Sequence, residues 1–299
     1  MKEPFPIIDI LPDAPEADED LGTKEKFWFR RHDNVNYLYK KTRQNTGEDW
    51  SEKIASELCS LLDLPHAIYE LATFNGDNGV ISPSFLPEAG ILTLGNEILA
   101  PIVPGYPQNC RDLSQHTIHN ISHALEGGSV NSPIHWVLPA GINRAMEVFV
   151  GYLLLDAWIG NTDRHHENWA YINLGDKMHL APSYDHASSL GREMSDGKRE
   201  EKLKNKSSVV DYAEKCTSLI YPSNGGQKPL RTFDAFYQVQ QLYPKAAGLW
   251  LEKLAGVSSH DTSMLFERIP SHRISPIAIE FAQKILEFNH KRLVQLLDT

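Results

Sequence analysis

The sequence predicts an α+β protein with two lobes, a small mixed N-terminal lobe followed by a larger, mainly helical C-terminal lobe. Residues 22–88 alternate between strand-like and helix-like patterns, whereas residues 89–299 mostly carry apolar residues at helical spacing. A chain of 299 residues is also long enough for two lobes that each bury a core. Residues 1–21, with four prolines and an acidic run from Asp13 to Asp20, are expected to form an extended leader.

Strand and helix signals alternate in the small lobe. Two short segments with aromatic residues at alternate positions, 26–30 and 36–40, predict a β-hairpin. Apolar residues then recur at helical spacing and predict a helix from Asp49 to Leu62. Residues 67–73 and 79–86 predict two further strands, which are joined by a turn rich in Asn and Gly.

The large lobe is predicted to contain one long buried helix. Apolar residues at helical spacing from Ile142 onward mark one face of this helix, which ends at Gly160. Further helices are predicted over residues 114–125, 232–243, 248–254 and 276–297.

Charge and composition argue against several classes of protein. Asp and Glu exceed Lys and Arg by 39 to 29, and the resulting net charge of −10 argues against direct nucleic-acid binding. The three cysteines form no Cys-x-x-Cys pair and favour a reducing compartment. The start of the chain has no secretory signal, and the longest apolar stretch, Val148–Ile159, is shorter than the roughly 20 residues that span a bilayer. We therefore expect a cytoplasmic protein that does not enter a membrane.

Polar residues cluster on two loops that follow neighbouring elements of the large lobe. The first loop, Gly160–Trp169, lies between the buried helix and a short predicted strand at 169–173. A second predicted strand at 178–181 leads into the loop 182–186. The two loops are therefore expected to present Asp163, Asn168 and Asp185 close together.

These three residue types are the ones that phosphoryl transfer requires. A carboxylate must orient the attacking hydroxyl and accept its proton, and oxygen ligands must hold Mg²⁺ against the nucleotide phosphates. Asn168 follows Asp163 by five positions, the spacing of the catalytic Asp and the metal-binding Asn in protein kinases. Asp185 follows 17 positions later, one β-hairpin further along the chain.

The motif resembles a known kinase family. Asn161-Thr162-Asp163-Arg164-His165-His166-Glu167-Asn168 is similar to the Asn-x-Asp-x-His-x-x-Asn loop of HipA-like kinases, and Tyr184-Asp185 resembles their Tyr-Asp pair. The Asp-Arg-His part is also similar to phosphoinositide kinases. The resemblance extends from residue 22 to residue 290 and implies a protein-kinase-like fold that uses ATP and Mg²⁺. It implies that Asp163 is the catalytic carboxylate and that Asn168 and Asp185 are Mg²⁺ ligands.

The small lobe offers candidates for the nucleotide-phosphate contacts of such a kinase. Lys40, at the end of the second hairpin strand, suits the lysine that contacts the phosphates, and Lys41 is its rival. Glu52, near the start of the next helix, suits the carboxylate that pairs with this lysine, with Glu57 as the alternative. Glu52 also suits an exposed first-turn residue that the helix dipole favours.

Three further groups are assigned to the nucleotide. Gly22-Thr23-Lys24 precedes the first hairpin strand, where its backbone N–H groups would cover the phosphates. Ser84-Phe85-Leu86 is expected to join the lobes and to meet adenine through backbone groups. His165 is a further candidate for nucleotide binding. The alternative is a structural role, in which its side chain forms a hydrogen bond that shapes the loop.

Several departures from the kinase pattern limit what the resemblance implies. The sequence has no Gly-x-Gly-x-x-Gly, His-Arg-Asp or Asp-Phe-Gly motif, which disfavours an ordinary eukaryotic-type protein kinase. The leader is too short for the extra N-terminal subdomain of full-length HipA proteins. A truncated relative is therefore expected, with the missing part carried by a separate chain.

The function implied is transfer of the γ-phosphate of ATP to a Ser or Thr hydroxyl of a protein. By the same resemblance, the substrate would be a translation-related enzyme, and the chain would be a toxin with a separate antitoxin partner. The alternatives are a lipid or small-molecule kinase, a nucleotide-binding pseudokinase or scaffold, and transfer of AMP instead of phosphate.

Several other polar residues and segments allow two structural or functional interpretations. Arg164 pairs either with a phosphate or with a local carboxylate, and Asp156, inside the apolar helix, requires a partner. The charged segment 197–206 is either a solvated helix or loop, or an activation-type segment that binds a substrate. Three histidines suit either a polar helix face or, less well, a zinc site: His116, His119 and His123.

Overall fold

The structure is a computed structural model that describes residues 3–18, 25–107, 113–127, 130–223 and 225–298. The predicted phosphate-covering residues Gly22, Thr23 and Lys24 lie outside the described residues. Their assignment therefore stays a prediction.

A six-stranded sheet and one long helix form the small lobe. Its elements are β1 (Ile7–Ile10), β2 (Ala17–Asp18), β3 (Lys26–Arg30), β4 (Asn36–Lys41), α1 (Glu48–Leu61), β5 (Glu70–Phe74) and β6 (Asp77–Pro83). The strand order is β1-β5-β6-β4-β3-β2, in which β1 is parallel to β5 and the other neighbours are antiparallel. The predicted hairpin is β3–β4, and its alternating pattern buries Phe27, Phe29 and Tyr39.

Residues 3–18 of the segment predicted to be an extended leader contribute two strands to the sheet of this lobe. β1 adds an edge strand next to β5, and β2 forms the opposite edge of the sheet. Phe5 is buried, with the Lys53 ammonium 4.4 Å and the Arg268 guanidinium 3.9 Å from its ring centroid. The prolines lie outside β1, so every residue of the strand keeps the N–H that a ladder needs.

The large lobe combines a small sheet with nine helices of the described residues. Its elements are β7 (Ile91–Leu94), α2 (Gly95–Leu99), α3 (Ile118–Glu126), β8 (Val130–Asn131), α4 (Ala145–Ile159), β9 (Ala170–Leu174), β10 (Lys177–Leu180), α5 (Asp196–Leu203), α6 (Lys206–Lys215), α7 (Thr232–Leu242), α8 (Pro244–Ala255), α9 (Ser259–Phe266) and α10 (Pro276–Val294), followed by a 3₁₀ turn (Gln295–Asp298). Within this part of the chain, the structure has no helix that is long and apolar enough to cross a bilayer.

Helix α4 is the predicted buried helix, and it contacts α3, α7, α8 and α10. Apolar side chains surround it on all sides, so it forms the centre of the lobe. Gly160 ends the helix with φ +64°, in the left-handed region where a residue with a Cβ is strained. The polar loop with Asp163 therefore starts at a sharp, defined turn of the chain.

A four-stranded sheet with the order β7-β9-β10-β8 positions the two predicted functional loops. β9 and β10 form the predicted hairpin, in which Leu180 lies opposite Tyr171. Ala181 N–H continues the pairing with a hydrogen bond of 2.9 Å to Ala170 O. The loop that precedes β9 and the loop that follows β10 are therefore adjacent.

The structure differs from the sequence prediction in its short elements. β7, α2, β8 and α9 were not predicted, because two to eight residues carry too little periodicity to be recognised. The charged segment 197–206 forms most of α5 and reaches the start of α6, and both helices pack on α10. Arg199 of α5 is buried and donates to Asp196 Oδ1 at 2.7 Å and to Gly191 O at 3.0 Å. Most other side chains of the segment are exposed, so it matches the solvated-helix alternative, with Arg199 as its buried contact to the large lobe.

The fully buried His116 connects the segment before β9 with the segment between α6 and α7. His116 Nε2 accepts a hydrogen bond of 3.1 Å from Trp169 Nε1, so the imidazole proton is on Nδ1, which donates to Leu219 O at 3.0 Å. Burial lowers the pKa of His116 to about 3, although the bond to Leu219 opposes this shift. His116 is therefore neutral in the folded protein at neutral pH.

We predict that acid destabilises the protein between pH 7 and pH 5. As the pH falls below 6.5, the ordinary pKa of histidine, the unfolded chain binds protons that buried His116 does not bind when folded. The free energy of unfolding should therefore fall from pH 7 to pH 5 in urea titrations. The variant His116→Asn should show a weaker fall, and substitution of exposed His260 by Asn should leave the slope unchanged. A stability that is constant over this range would contradict the prediction.

Candidate active site

One cleft between the lobes brings together residues from both sheets. Seven of the residues predicted from the sequence line it: Lys40, Ser84, Phe85, Leu86, His165, Asn168 and Asp185. Much of the remaining lining is apolar and comes from Trp28, Leu38, Leu92, Leu94 and Tyr184. The cleft therefore has apolar walls together with a few polar groups, as small-molecule and cofactor sites generally have.

Asp163 lies beside this cleft on the loop after α4. Its carboxylate is 42% exposed, so it is accessible from solvent. Asp163 Oδ2 is 3.5 Å from Ser188 Oγ, and Oδ1 is 3.8 Å from His165 Nε2. The Glu167 N–H donates to His165 Nδ1 at 3.1 Å, which assigns the imidazole proton to Nε2, facing Asp163. His165 thus takes the loop-shaping role as well as lining the cleft.

Asn168 is buried and is held by the loop that carries Asp163. Its Nδ2 donates to Asp163 O at 2.6 Å, so the side-chain amide is oriented by the backbone of the same loop. Because the amide nitrogen is used in this bond, Oδ1 is the atom left to bind a cation. The five-residue spacing from Asp163 to Asn168 thus allows the Asn168 side chain to form a hydrogen bond with the backbone of Asp163.

Asp185 reaches the cleft from the loop after β10. It has φ +59°, a left-handed conformation that Asp tolerates better than most residues. Its Oδ1 lies 3.3 Å from Lys40 Nζ, and its N–H donates to the Tyr69 hydroxyl at 3.3 Å. The Tyr69 hydroxyl also accepts a hydrogen bond of 3.3 Å from Lys40. Tyr69 therefore connects both groups.

Lys40 is buried and charged. Burial by itself would lower the pKa of Lys40, but the Asp185 carboxylate and the other nearby groups raise it well above the ordinary value. A cation in this position attracts the phosphates of a nucleotide. The rival Lys41 instead pairs with Glu25 at 3.0 Å and Asp77 at 2.8 Å.

Glu52 is buried, so it is not the exposed first-turn residue that was the alternative to an ion-pair role. Its two carboxylate oxygens accept hydrogen bonds from the His186 N–H at 2.6 Å and the Ala187 N–H at 3.2 Å. Its charge helps to raise the pKa of Lys40, but the ion pair of Lys40 is with Asp185. Glu52 thus holds the backbone that follows Asp185. The rival Glu57 pairs with Lys53 at 2.7 Å.

Arg164 pairs with a local carboxylate, one of its two predicted alternatives. Its guanidinium makes a bidentate contact with Asp156, at 2.7 Å from Nε and 2.9 Å from Nη2, and both side chains are buried. The same guanidinium donates to Asn168 O at 2.7 Å and to Ser183 Oγ at 3.0 Å. Arg164 therefore joins helix α4, the loop with Asn168 and the loop with Asp185.

The donor set of the cleft fits Mg²⁺ better than zinc. Amide and carboxylate oxygens such as those of Asn168 and Asp185 suit a hard cation, whose remaining positions phosphate oxygens and water fill. No group of three or more His, Cys, Asp and Glu residues in the described ranges is arranged to hold a metal ion. His116, one of the three candidate zinc ligands, uses both ring nitrogens within the protein.

Tyr69 lines the cleft, and Ser188, bonded to Arg192, lies beside the Asp163 carboxylate, but none of the three is predicted from the sequence. Tyr69 is 116 residues from Asp185 along the chain, and no local pattern connects them. The sequence gives only a weak indication of a functional role for Tyr69, because a tyrosine near a strand usually belongs to the hydrophobic core.

Comparison with solved structures supports the fold. The chain is similar to the Helicobacter pylori proinflammatory kinase CtkA, with 18% identity, a TM-score of 0.76 and coverage of 97% of this chain and 99% of that one. It is also similar to HipA of a Shewanella oneidensis MR-1 toxin–antitoxin system, solved with HipB and operator DNA. This match has 11% identity, a TM-score of 0.58 and coverage of 95% of this chain and 68% of that one.

The chain has their bilobed, kinase-like fold. The predicted α+β architecture and the predicted resemblance to HipA-like folds are thereby confirmed. No protein-family model and no curated protein sequence matches the chain. At these identities the comparison establishes the fold, so the roles of individual residues rest on the geometry of the cleft.

We predict that the buried Arg164–Asp156 pair is required for stability. The variant Asp156→Asn leaves the Arg164 guanidinium buried without its counter-charge, which should lower the free energy of unfolding by about 3–5 kcal/mol. The same substitution at Asp63, whose partner Lys253 is 2.6 Å away on the surface, should cost less than about 1 kcal/mol. Urea denaturation of both variants measures the difference. Equal losses would contradict the central role of the buried pair.

Proposed function

We propose that this protein is an ATP- and Mg²⁺-dependent kinase that phosphorylates Ser or Thr hydroxyl groups of a protein. The observation that carries the proposal is the convergence of Lys40, Asn168 and Asp185 on one cleft, beside an exposed Asp163. Asn168 and Asp163 are joined by a hydrogen bond, and Asp185 and Lys40 by an ion pair. These four groups are the minimum inventory for transfer of a phosphoryl group.

Each residue has a defined task in this reaction. Asp163 orients the acceptor hydroxyl and takes its proton as the hydroxyl oxygen bonds to the γ-phosphorus and the bond to ADP breaks. Lys40 places a positive charge next to the phosphates. Asn168 Oδ1 and the Asp185 carboxylate would hold Mg²⁺, which neutralises charge on the β- and γ-phosphates when it is bound. Glu52 keeps Asp185 in place through the backbone of residues 186 and 187.

The apolar lining suits the adenine ring of ATP. Phe85 and Tyr184 are stacked with a centroid distance of 5.8 Å, and both line the cleft. Ser84 and Leu86 belong to the segment between the sheet of the small lobe and β7. The Ser84 N–H is bonded to Asn36 O at 2.8 Å. The Leu86 N–H donates to Ser84 Oγ at 3.3 Å, so the Phe85 N–H and the carbonyl groups of residues 84–86 are the backbone groups that we propose for adenine.

A protein acceptor is favoured over a lipid or small molecule by two features. Asp163 is beside the cleft and exposed, where a side chain on a large acceptor can reach it. Arg164, the residue that makes the loop similar to phosphoinositide kinases, is buried and fully engaged by Asp156, Asn168 and Ser183. It is therefore not placed to bind a phosphate of a lipid headgroup.

We predict that phosphate transfer requires Asp163 and Asp185. The variants Asp163→Asn and Asp185→Asn keep the side-chain shape and remove the charge, and each should lower the rate by about 10²–10³-fold or more. The matched control is Asp176→Asn, at the exposed β9–β10 turn, which should be fully active. The measurement is transfer of label from γ-labelled ATP to proteins of a bacterial lysate.

The acceptor that becomes labelled decides among the alternatives. Label on a translation enzyme would support the role of a toxin, whereas label only in small molecules would favour a small-molecule kinase. Transfer of an α-label would indicate AMP transfer, and nucleotide binding without any transfer would indicate a pseudokinase. Near wild-type activity of either Asp variant would show that its assignment is wrong.

We predict that ATP stabilises the protein chiefly when Mg²⁺ is present. At a hundredfold excess over Kd, MgATP should stabilise the folded state by about 2.7 kcal/mol and raise Tm by about 5 °C. Lys40→Met should reduce this shift strongly, whereas Lys41→Met, in which the neighbouring lysine outside the cleft is replaced, should retain it. An equal shift for ATP with and without Mg²⁺ would contradict the proposed metal site.

The partner of the kinase is proposed by analogy with one structural neighbour. HipA of Shewanella oneidensis belongs to a toxin–antitoxin system and was solved in a complex with HipB and operator DNA. We propose a separate antitoxin chain for this protein, and purification from its native cells with identification of bound proteins tests that proposal.

A further inference from the structure

The catalytic loop is tied to the small lobe by a chain of polar contacts that the proposed reaction does not use. Ser188, three residues after Asp185, has its hydroxyl 3.5 Å from Asp163 Oδ2. Arg192 Nη2 donates to the same hydroxyl at 3.1 Å. Because the Ser188 oxygen accepts from Arg192, its single proton is directed to Asp163.

The position of Ser188 relative to Asp163 is defined by the backbone. Ser188 O accepts two hydrogen bonds from Thr162, the residue before Asp163, at 2.9 Å from N–H and 3.1 Å from Oγ1. These bonds hold the Ser188 and Asp163 segments side by side. The contact between the hydroxyl and the carboxylate therefore follows from the packing of two loops.

The other end of the chain of contacts is the start of α1. Arg192 Nη1 is 3.1 Å from Glu48 Oε1, and Glu48 is buried. Glu48 also pairs with Arg43 at 2.9 Å, and the Gly47 N–H donates to Arg192 O at 2.9 Å. Arg192 thus contacts helix α1 of the small lobe through Nη1 and the Ser188 hydroxyl, which contacts Asp163, through Nη2.

We propose that Glu48, Arg192 and Ser188 form a positioning relay that orients the catalytic carboxylate from helix α1. This relay is separate from the Glu52 contacts, which hold the backbone after Asp185. Helix α1 thereby controls the metal-binding loop through Glu52 and the catalytic carboxylate through Glu48. Any displacement of α1 relative to the large lobe disturbs both at once. The inference deepens the proposed kinase function and rests on it.

The kinetic test separates positioning from binding. Ser188→Ala removes one hydrogen bond to a charged group, so kcat for MgATP turnover, measured as ADP release, should fall at least about tenfold. The KM for ATP and Tm should stay unchanged, because Ser188 does not line the cleft. Ser188→Thr keeps the hydroxyl and should retain most of the activity. Ser195→Ala, at an exposed serine of the same segment, is the matched control.

A double-mutant cycle tests the connection to α1. Glu48→Gln should lower kcat in the wild-type background but cause little further loss in the Ser188→Ala background, because one relay is interrupted by either change. Additive losses would show that Glu48 and Ser188 act independently, and a wild-type kcat for Ser188→Ala would overturn the relay altogether.

Hydrogen exchange tests the relay even if the protein transfers no phosphate. Amide exchange in residues 161–165 should be faster in Ser188→Ala and in Glu48→Gln than in the wild type, and unchanged in Ser195→Ala. Unchanged exchange in the first two variants would overturn the relay. An inactive wild type with the expected exchange pattern would overturn the kinase function and leave the relay intact, so the two failures are distinguishable.

Discussion

The buried ion pair between Arg164 and Asp156 is the interaction on which the candidate site depends. Two charges removed from water are tolerated only when they meet at close range and when the remaining N–H groups find acceptors. Arg164 meets this requirement with a bidentate contact to Asp156 and further bonds to Asn168 O and Ser183 Oγ. The loops before β9 and after β10 are thereby attached to the central helix α4. Loss of the pair would release both loops together.

A second set of buried charges attaches the small lobe to the large lobe. Glu48, Asp49 and Glu52 lie in the first two turns of α1, and each is at most 3% exposed. Asp49 pairs with Arg273 at 2.8 Å, Glu48 reaches Arg192, and Glu52 accepts two backbone N–H groups after Asp185. Helix α1 therefore meets the large lobe through these polar contacts as well as through apolar side chains such as Trp50, Ile54 and Leu58, which belong to the same core as α4.

Much of the candidate site could be predicted because its groups are encoded within short segments. Asp163 and Asn168 belong to one loop, which closes through a hydrogen bond between the Asn168 side chain and Asp163 O. Asp185 and Lys40 were assigned by their position at strand ends, and both line the cleft. Glu52 was assigned to the correct region, but its main contacts are backbone groups at residues 186 and 187. Those contacts depend on how the large lobe folds against α1.

The sequence by itself determined the two-lobed α+β architecture, the β3–β4 and β9–β10 hairpins, and the turn at Gly160 that begins the loop with Asp163. These features follow from local periodicity, turn chemistry and the absence of a Cβ at one position. Only the tertiary structure decided that residues 7–10 complete the sheet, that Arg164 pairs with Asp156, and that Tyr69 connects Lys40 and Asp185. A strand edge or a buried charge is satisfied by whichever group the packed chain brings within a few ångströms. Sequence distance carries no information about that choice.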